Sequence, residues 1–406
     1  MTRTNEKAAV PRLRFKGCEG GWDQQPIGAL FSERDERSAD GELLSVTIRH
    51  GVVRACDSGK TDSSSSDKSH YKVVKIRDLA YNSMRMWQGA CGASRFDGIV
   101  SPAYTVIVPN AESDSEFFEY TFKRPEVLRQ FQRNSQGMTS DTWNLKFPLL
   151  KDICILCPEQ NTQVQIANTF RNFDKLIFSE ASHLAVLRQL KRAMLVKMFP
   201  RPGQCVPEIR FKGFDDEWEY RTLGYYLQPS GTKNYAMKFS REDVLSVSGE
   251  YGIVNQIKFK GRSFAGASVE NYGVVERGDI VYTKSPLNQT PYGIIKANLG
   301  PAGIVSTLYA VYKVGECADP SFVQTYFSLD GRLNSYLRPL VRKGAKNDMK
   351  VSAEGALRGG VIFPSLPEQQ KIAAFFRNLD RLIRAAEKKV AKLRQVKASL
   401  LERMFV

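Results

Sequence analysis

Two stretches of the chain place apolar residues at alternating steps of four and three. In the first they are Ile166, Phe170, Phe173, Ile177, Leu184, Leu187, Met194 and Met198. In the second they are Ile372, Phe376, Leu379, Ile383, Ala386, Val390, Leu393, Leu400 and Met404. A mean step of about 3.5 predicts a coiled-coil seam rather than the broader stripe of a globular surface helix. Glu180, Lys191 and Lys397 interrupt the seam; polar residues there cost stability but can set register. Pro158-Glu159 and Pro367-Glu368 stand where helices open, with the carboxylates suited to the positive end of the dipole. Phe199-Pro200-Arg201-Pro202-Gly203 ends the first helix sharply. At about 1.5 Å per residue, each helix of about 40 residues spans roughly 60 Å. Elsewhere the period is two. Short β-branched runs such as LLSVTI from Leu43, YKVV from Tyr71, GIVSPAYTVIV from Gly98, VLSV from Val244 and GIVSTLYAVYKV from Gly303 predict strands broken by turns.

The pattern occurs twice. From Ile166 to Phe199 and from Ile372 to Phe405 the helices align without a gap at an offset of 206, with 16 of 34 positions identical. VPRLRFKGCEGGW from Val10 matches VPEIRFKGFDDEW from Val206, and YKVVKIRDLAY from Tyr71 matches YGVVERGDIVY from Tyr272. Order is kept throughout, as in a duplicated unit of about 200 residues. The predicted division is a strand-rich unit over 1–157, a helix over 158–201, a second strand-rich unit over 202–366 and a second helix over 367–406. The fold class is mixed α/β: two tandem strand-rich domains separated by two long helices that pair antiparallel as a coiled coil, with pseudo-twofold symmetry. Loops escape the duplication. Asp57 to Ser69, Gln256 to Asn271 and Lys284 to Asn298 differ between copies while the strands beside them match.

A formal net charge of +16 over 406 residues points to a polyanionic partner, with nucleic acid ahead of a membrane surface. No apolar run reaches the length of a spanning helix, and the first residues lack a secretory apolar core. Seven cysteines fit a reducing cytoplasm better than a disulfide framework. Cys154 and Cys157 form a C-x-x-C with no second pair and no nearby histidine, which reads as two partly buried thiols.

Catalytic motifs fail one by one. Gly59-Lys60-Thr61 resembles the end of a phosphate-binding loop, but its first glycine would fall on Arg54. Ser101-Pro102-Ala103-Tyr104 approaches the tetrapeptide of adenine methyltransferases, yet its copy is Ser306-Thr307-Leu308-Tyr309, and no glycine-rich cofactor loop follows a strand. The histidines His50, His70 and His183 have no counterparts in the second copy. The expectation is a chain without catalysis and without a bound cofactor or metal.

The LPEQQKIAAFFRNLDRLI stretch from Leu366, PEIRFKGFDDEW from Pro207 and YKVVKIRDLAYNSM from Tyr71, set in this duplication, resemble the specificity (S) subunit of type I restriction-modification systems. The resemblance runs from about Val10 to Val406. It implies that each strand-rich unit is a target recognition domain reading one half of a bipartite double-stranded DNA site. The helices would set the spacer and dock two methyltransferase (M) subunits, and two restriction (R) subunits would complete the assembly. S-adenosylmethionine, ATP and Mg²⁺ would belong to those partners. Base edges are best read by Arg, Lys, Asn and Gln on loops. The candidates are Arg49, Lys60, Lys68, Arg85, Arg133 and Asn134 in the first unit. In the second they are Lys258, Lys260, Arg262, Lys284, Asn288, Arg342, Lys343 and Lys346. The competing reading is a DNA-binding protein that acts alone.

Overall fold

The computed structural model describes residues 9–18, 20–59, 64–266, 268–286, 289–343 and 349–406. The chain divides into two compact units. One takes the residues through Glu180 together with Lys389–Val406; the other is Ala181–Lys388.

Both units are built to one plan. In the first, a four-stranded antiparallel sheet has the order Phe31–Glu33, Tyr104–Pro109, Leu79–Asn82, Cys91–Ala93. In the second, the order is Leu227–Pro229, Tyr309–Val314, Ile280–Thr283, Ile294–Ala297. Each unit adds a hairpin, Leu44–Thr47 with Gly51–Arg54 and Leu245–Ser248 with Gly252–Asn255. Each also has a two-stranded ladder leading into a long helix, Asp23–Pro26 with Cys154–Cys157 and Glu219–Thr222 with Gly360–Phe363. Short helices Ser115–Phe122 and Pro320–Tyr326 start alike. Asp114 and Asp319 cap them, accepting from the amides of Phe117 and Phe322 at 2.9 and 2.8 Å.

The two cores contain the same aromatic cluster. In the first unit Trp22, Phe117 and Phe170 surround Phe405, at centroid separations of 5.6, 5.5 and 5.9 Å from it. In the second, Trp218, Phe322 and Phe376 surround Phe199 at 5.9, 5.7 and 6.2 Å. The central phenylalanine never comes from the helix that starts in its own unit. Phe199 follows the long helix Gln160–Lys197, and Phe405 follows Leu366–Met404.

Seam positions divide by neighbourhood. Ile166, Phe170 and Met404 are buried in the core of the first unit, with Leu400 packed against it. Met198, Ile372 and Phe376 are buried in the core of the second, with Met194 at its edge. A separate helix-to-helix cluster holds Leu187, Leu379, Ile383 and Ala386, with Leu184 beside them. Val390 is buried; Phe173, Ile177 and Leu393 are half-buried. A pattern that reads as one coiled-coil seam thus serves partly as globular core, because the outer turns face the sheets.

Within each unit the paired helix segments run antiparallel, and the charges that interrupt the seam bridge them. Lys397 meets Asp174 at 2.5 Å and Lys389 meets Glu180 in the first unit. Lys191 meets Asp380 at 2.6 Å and Arg188 meets Glu387 at 2.7 Å in the second. Asp174 and Lys191 are the repeat equivalents of Asp380 and Lys397, so one ion pair is made twice.

The helix openings depart from the sequence alignment. Matching Pro-Glu-Gln to Pro-Glu-Gln requires three extra residues in the first copy. The structure keeps the offset of 206 instead. Gln163 is the counterpart of Gln369: each donates to a proline carbonyl, of Pro158 or Pro364, at 2.8 and 2.9 Å. Each also accepts from the amide of the capping aspartate, Asp114 or Asp319, at 2.9 and 3.0 Å. Pro367 and Glu368 therefore occupy the first turn of the second helix, whereas Pro158 and Glu159 precede the first, which begins at Gln160. Glu368 is buried and makes a bidentate pair with Arg210 of the RFKG segment, both bonds at 2.8 Å. Removing one partner leaves a buried charge uncompensated. Glu368→Ala should lower stability by about 3 kcal/mol in denaturant unfolding; a midpoint at the wild-type position would show that the pair adds nothing to the fold.

Candidate nucleic-acid interface

The variable loops carry only some of the candidate cations; Arg133 and Asn134 end a helix and Arg342 lies in a strand, not in loops as expected. In the second unit the helix Gln256–Lys260 comes directly after the hairpin. Asn255 caps it, accepting from the amide of Lys258 at 3.1 Å, and Gly261 ends it in the left-handed conformation at φ 74°. Gln256 anchors the segment beyond the helix. It donates to Ser246 Oγ at 3.1 Å and accepts from the amide of Phe264 at 2.6 Å. These bonds hold Lys258, Lys260 and Arg262 on one short exposed segment.

Aromatic rings share that surface. Tyr251, Phe259 and Phe264 are all exposed, and Tyr251 meets Phe259 at 5.3 Å between centroids. Arg262 and Lys260 lie over the Phe264 ring at 4.6 and 5.3 Å. Exposed rings beside cations offer both charge and a stacking surface. Sequence reasoning singles out only the cations. The interleaving in Lys258-Phe259-Lys260-Gly261-Arg262-Ser263-Phe264 is the signal for the rings.

The first unit arranges its candidates differently. Arg49 is exposed at the turn of the hairpin Leu44–Thr47 with Gly51–Arg54. Lys68 is half-buried in the next loop. Arg85, also exposed, donates to Gln88 at 3.1 Å. Arg133 and Asn134 are exposed at the end of the helix Pro125–Asn134, and Asn134 donates back to the carbonyl of Gln130 at 2.9 Å. Near Arg85, Trp87 meets Trp143 edge-on at 5.2 Å. In the second unit Lys284 is half-buried, and its amide donates to the carbonyl of Leu308 at 3.2 Å. Arg342 is exposed in the short strand Arg342–Lys343. Lys60, Asn288 and Lys346 lie outside the described residues, and Lys343 is placed by its backbone alone.

Among the described residues, no group of three or more His, Cys, Asp or Glu side chains is placed to hold a metal ion. Burial pushes the Cys157 thiol up to about 11, so little thiolate is present for metal binding or redox chemistry. No helix among the described residues is long and apolar enough to cross a membrane.

No protein-family model matches the chain, and no curated protein matches it significantly. Solved structures do. The S subunit of a type I restriction-modification system from M. genitalium superposes with a TM-score of 0.56 at 17% identity, covering 98% of this chain and 99% of that one. A chain from another type I restriction-modification system has a TM-score of 0.45 at 15% identity, over 95% of this chain and 97% of its own. For the HsdS subunit of Thermoanaerobacter tengcongensis the values are 0.44, 15%, 95% and 96%. The chain has the fold of the M. genitalium S subunit along almost its whole length.

The anchoring role of Gln256 has a direct check. Gln256→Ala should cost about 1–2 kcal/mol and speed hydrogen exchange at the Phe264 amide. Unchanged exchange at that amide would show that the loop is held by something else.

Proposed function

We propose that this chain is the DNA-specificity subunit of a type I restriction-modification system. The observation that carries the reading is one scaffold built twice with two different loop surfaces. Alike frameworks with unlike loops suit two unlike half-sites of one asymmetric sequence. Net charge of +16 and exposed cations on those loops suit a phosphate-lined partner. The strand-rich parts, 1–157 and 202–366, act as target recognition domains, and 158–201 with 367–406 act as the spacer. The chain itself is non-catalytic and works in the cytoplasm. Two M subunits dock on it and supply adenine methylation with S-adenosylmethionine. Two R subunits, using ATP and Mg²⁺, supply cleavage.

Helices of 38 and 39 residues are about 57 Å long at 1.5 Å per residue, equal to roughly 17 base pairs at 3.4 Å. Their length bounds the distance between half-sites. Inserting seven residues after Ala181 and seven after Glu387 should lengthen the unread spacer in the methylated site. A methylome with the original spacer would refute the ruler.

The basic segment gives a second check. Replacing Lys258, Lys260 and Arg262 by alanine should weaken duplex binding and lower the salt slope by about 0.9 for each phosphate no longer neutralised. Wild-type affinity and slope would remove this segment from the interface. Tight binding of DNA without M subunits, with methylation unaffected by deletion of the chain, would favour the stand-alone DNA-binding protein instead.

A further inference from the structure

A pocket of about 390 Å³ in the first unit belongs to none of the loops above. It is half open to solvent and is lined by the turn at Arg77, the segment at Arg95, the start of the helix Ser115–Phe122, and one face of the long helix around Arg171 and Lys175. Four cations and two carboxylates line it, and Asp114 is taken up in capping the helix at the Phe117 amide, at 2.9 Å. Glu116 serves two of the four cations, Arg171 at 3.2 Å and Arg95 at 3.7 Å. Among the described residues, neither Arg77 nor Lys175 has an acidic partner. The Nε of Arg171 is buried and has no acceptor. Ile76, Val164 and Ala167 add an apolar wall.

Arg77 marks the site as more than surplus charge. It occupies the third position of a turn closed by the Asp78 amide on the Lys75 carbonyl at 2.9 Å, with φ at 75°. That conformation favours glycine. The repeat has glycine there, Gly278, at φ 97°. The equivalents of Arg95 and Glu116 are Leu299 and Ser321, so the cluster is not duplicated. A strained arginine kept where glycine would be relaxed is an outlier of the kind that accompanies binding sites.

We propose that this pocket binds a phosphoryl group. Arg77, Arg95 and Lys175 would meet its oxygens. The phosphate could be carried by a small organic molecule whose remainder lies on the apolar wall, or by the backbone of bound DNA. The geometry fits the shared chemistry, and experiment separates the carriers.

The test titrates the full-length chain with inorganic pyrophosphate and with adenosine 5′-monophosphate by calorimetry, and in parallel with a duplex oligonucleotide. Arg77→Gly is the key variant, since the repeat already folds with glycine at this place. It should melt no lower than wild type. If the carrier is a small molecule, one site per chain binds a probe, Arg77→Gly with Lys175→Ala weakens it by at least about tenfold, and duplex binding is unchanged. If the carrier is DNA, the same pair leaves the small probes weak throughout but lowers the salt slope of duplex binding by about the amount that two phosphates contribute. No saturable probe binding, with an unaltered duplex slope, overturns the proposal. Failure of the wild-type chain to bind any duplex would instead count against the specificity reading and leave the small-molecule arm standing.

Discussion

The buried phenylalanine at the centre of each aromatic cluster is the contact on which the rest depends. Phe405 sits among Trp22, Phe117 and Phe170, and Phe199 among Trp218, Phe322 and Phe376. Burying one such ring contributes about 1.5–3 kcal/mol, and each favourable ring pair adds about 0.5–1.5 kcal/mol. Each core is completed by the end of the helix that began in the other unit, so neither strand-rich region closes its own core. A 38-residue helix is about 57 Å long, too long for both its ends to lie in one small core.

Charge pairs refine the register that the apolar seam leaves loose. A run of Ile, Leu, Phe and Met tolerates a slip of one heptad at modest cost, whereas a half-buried lysine facing the wrong residue does not. Lys397 with Asp174 and Lys191 with Asp380 make the same contact in each unit. Tyr120 reinforces the first of them, donating to Asp174 at 2.7 Å while its ring lies under Lys397. The residues that look like defects in the apolar pattern, Glu180, Lys191 and Lys397, each make an ion pair with the other helix. The buried pair of Arg210 and Glu368 does similar work at the start of the second helix, tying the RFKG segment to it.

The same scaffold tolerates unlike surfaces where the loops take little part in these cores; Lys284 to Asn298, which reads as a loop in the sequence, departs from this, since it forms the strand Ile294–Ala297 and buries Ile294, Ile295 and Ala297 in the second core. The second unit folds its loop around Gln256 and presents cations with exposed rings. The first places a tryptophan pair near Arg85 and gathers a cationic pocket around Arg77 and Arg171. Divergence is cheap at such positions, since substituting an exposed loop residue rarely changes stability by more than about 0.5 kcal/mol.

Periodicity, duplication and charge were legible along the chain, because each is a property of residue order. They imply two like units, two long helices and antiparallel pairing. The tertiary structure decided three other matters. It set the helix openings, where Gln163 rather than Gln160 takes the place of Gln369; the matching letters of Pro-Glu-Gln pointed to another register, and the bonds of these glutamines to the Pro158 and Pro364 carbonyls and the Asp114 and Asp319 amides distinguish the two. It selected which phenylalanine closes which core, a choice hidden from sequence because Phe199 and Phe405 are the same residue of a duplicated helix. It also gathered Arg77, Arg95, Arg171 and Lys175, nearly a hundred residues apart at the extremes, into one pocket. Repeats reveal what each segment is; contacts between distant segments depend on which of two near-identical surfaces wins the packing, and that is settled only in the folded chain.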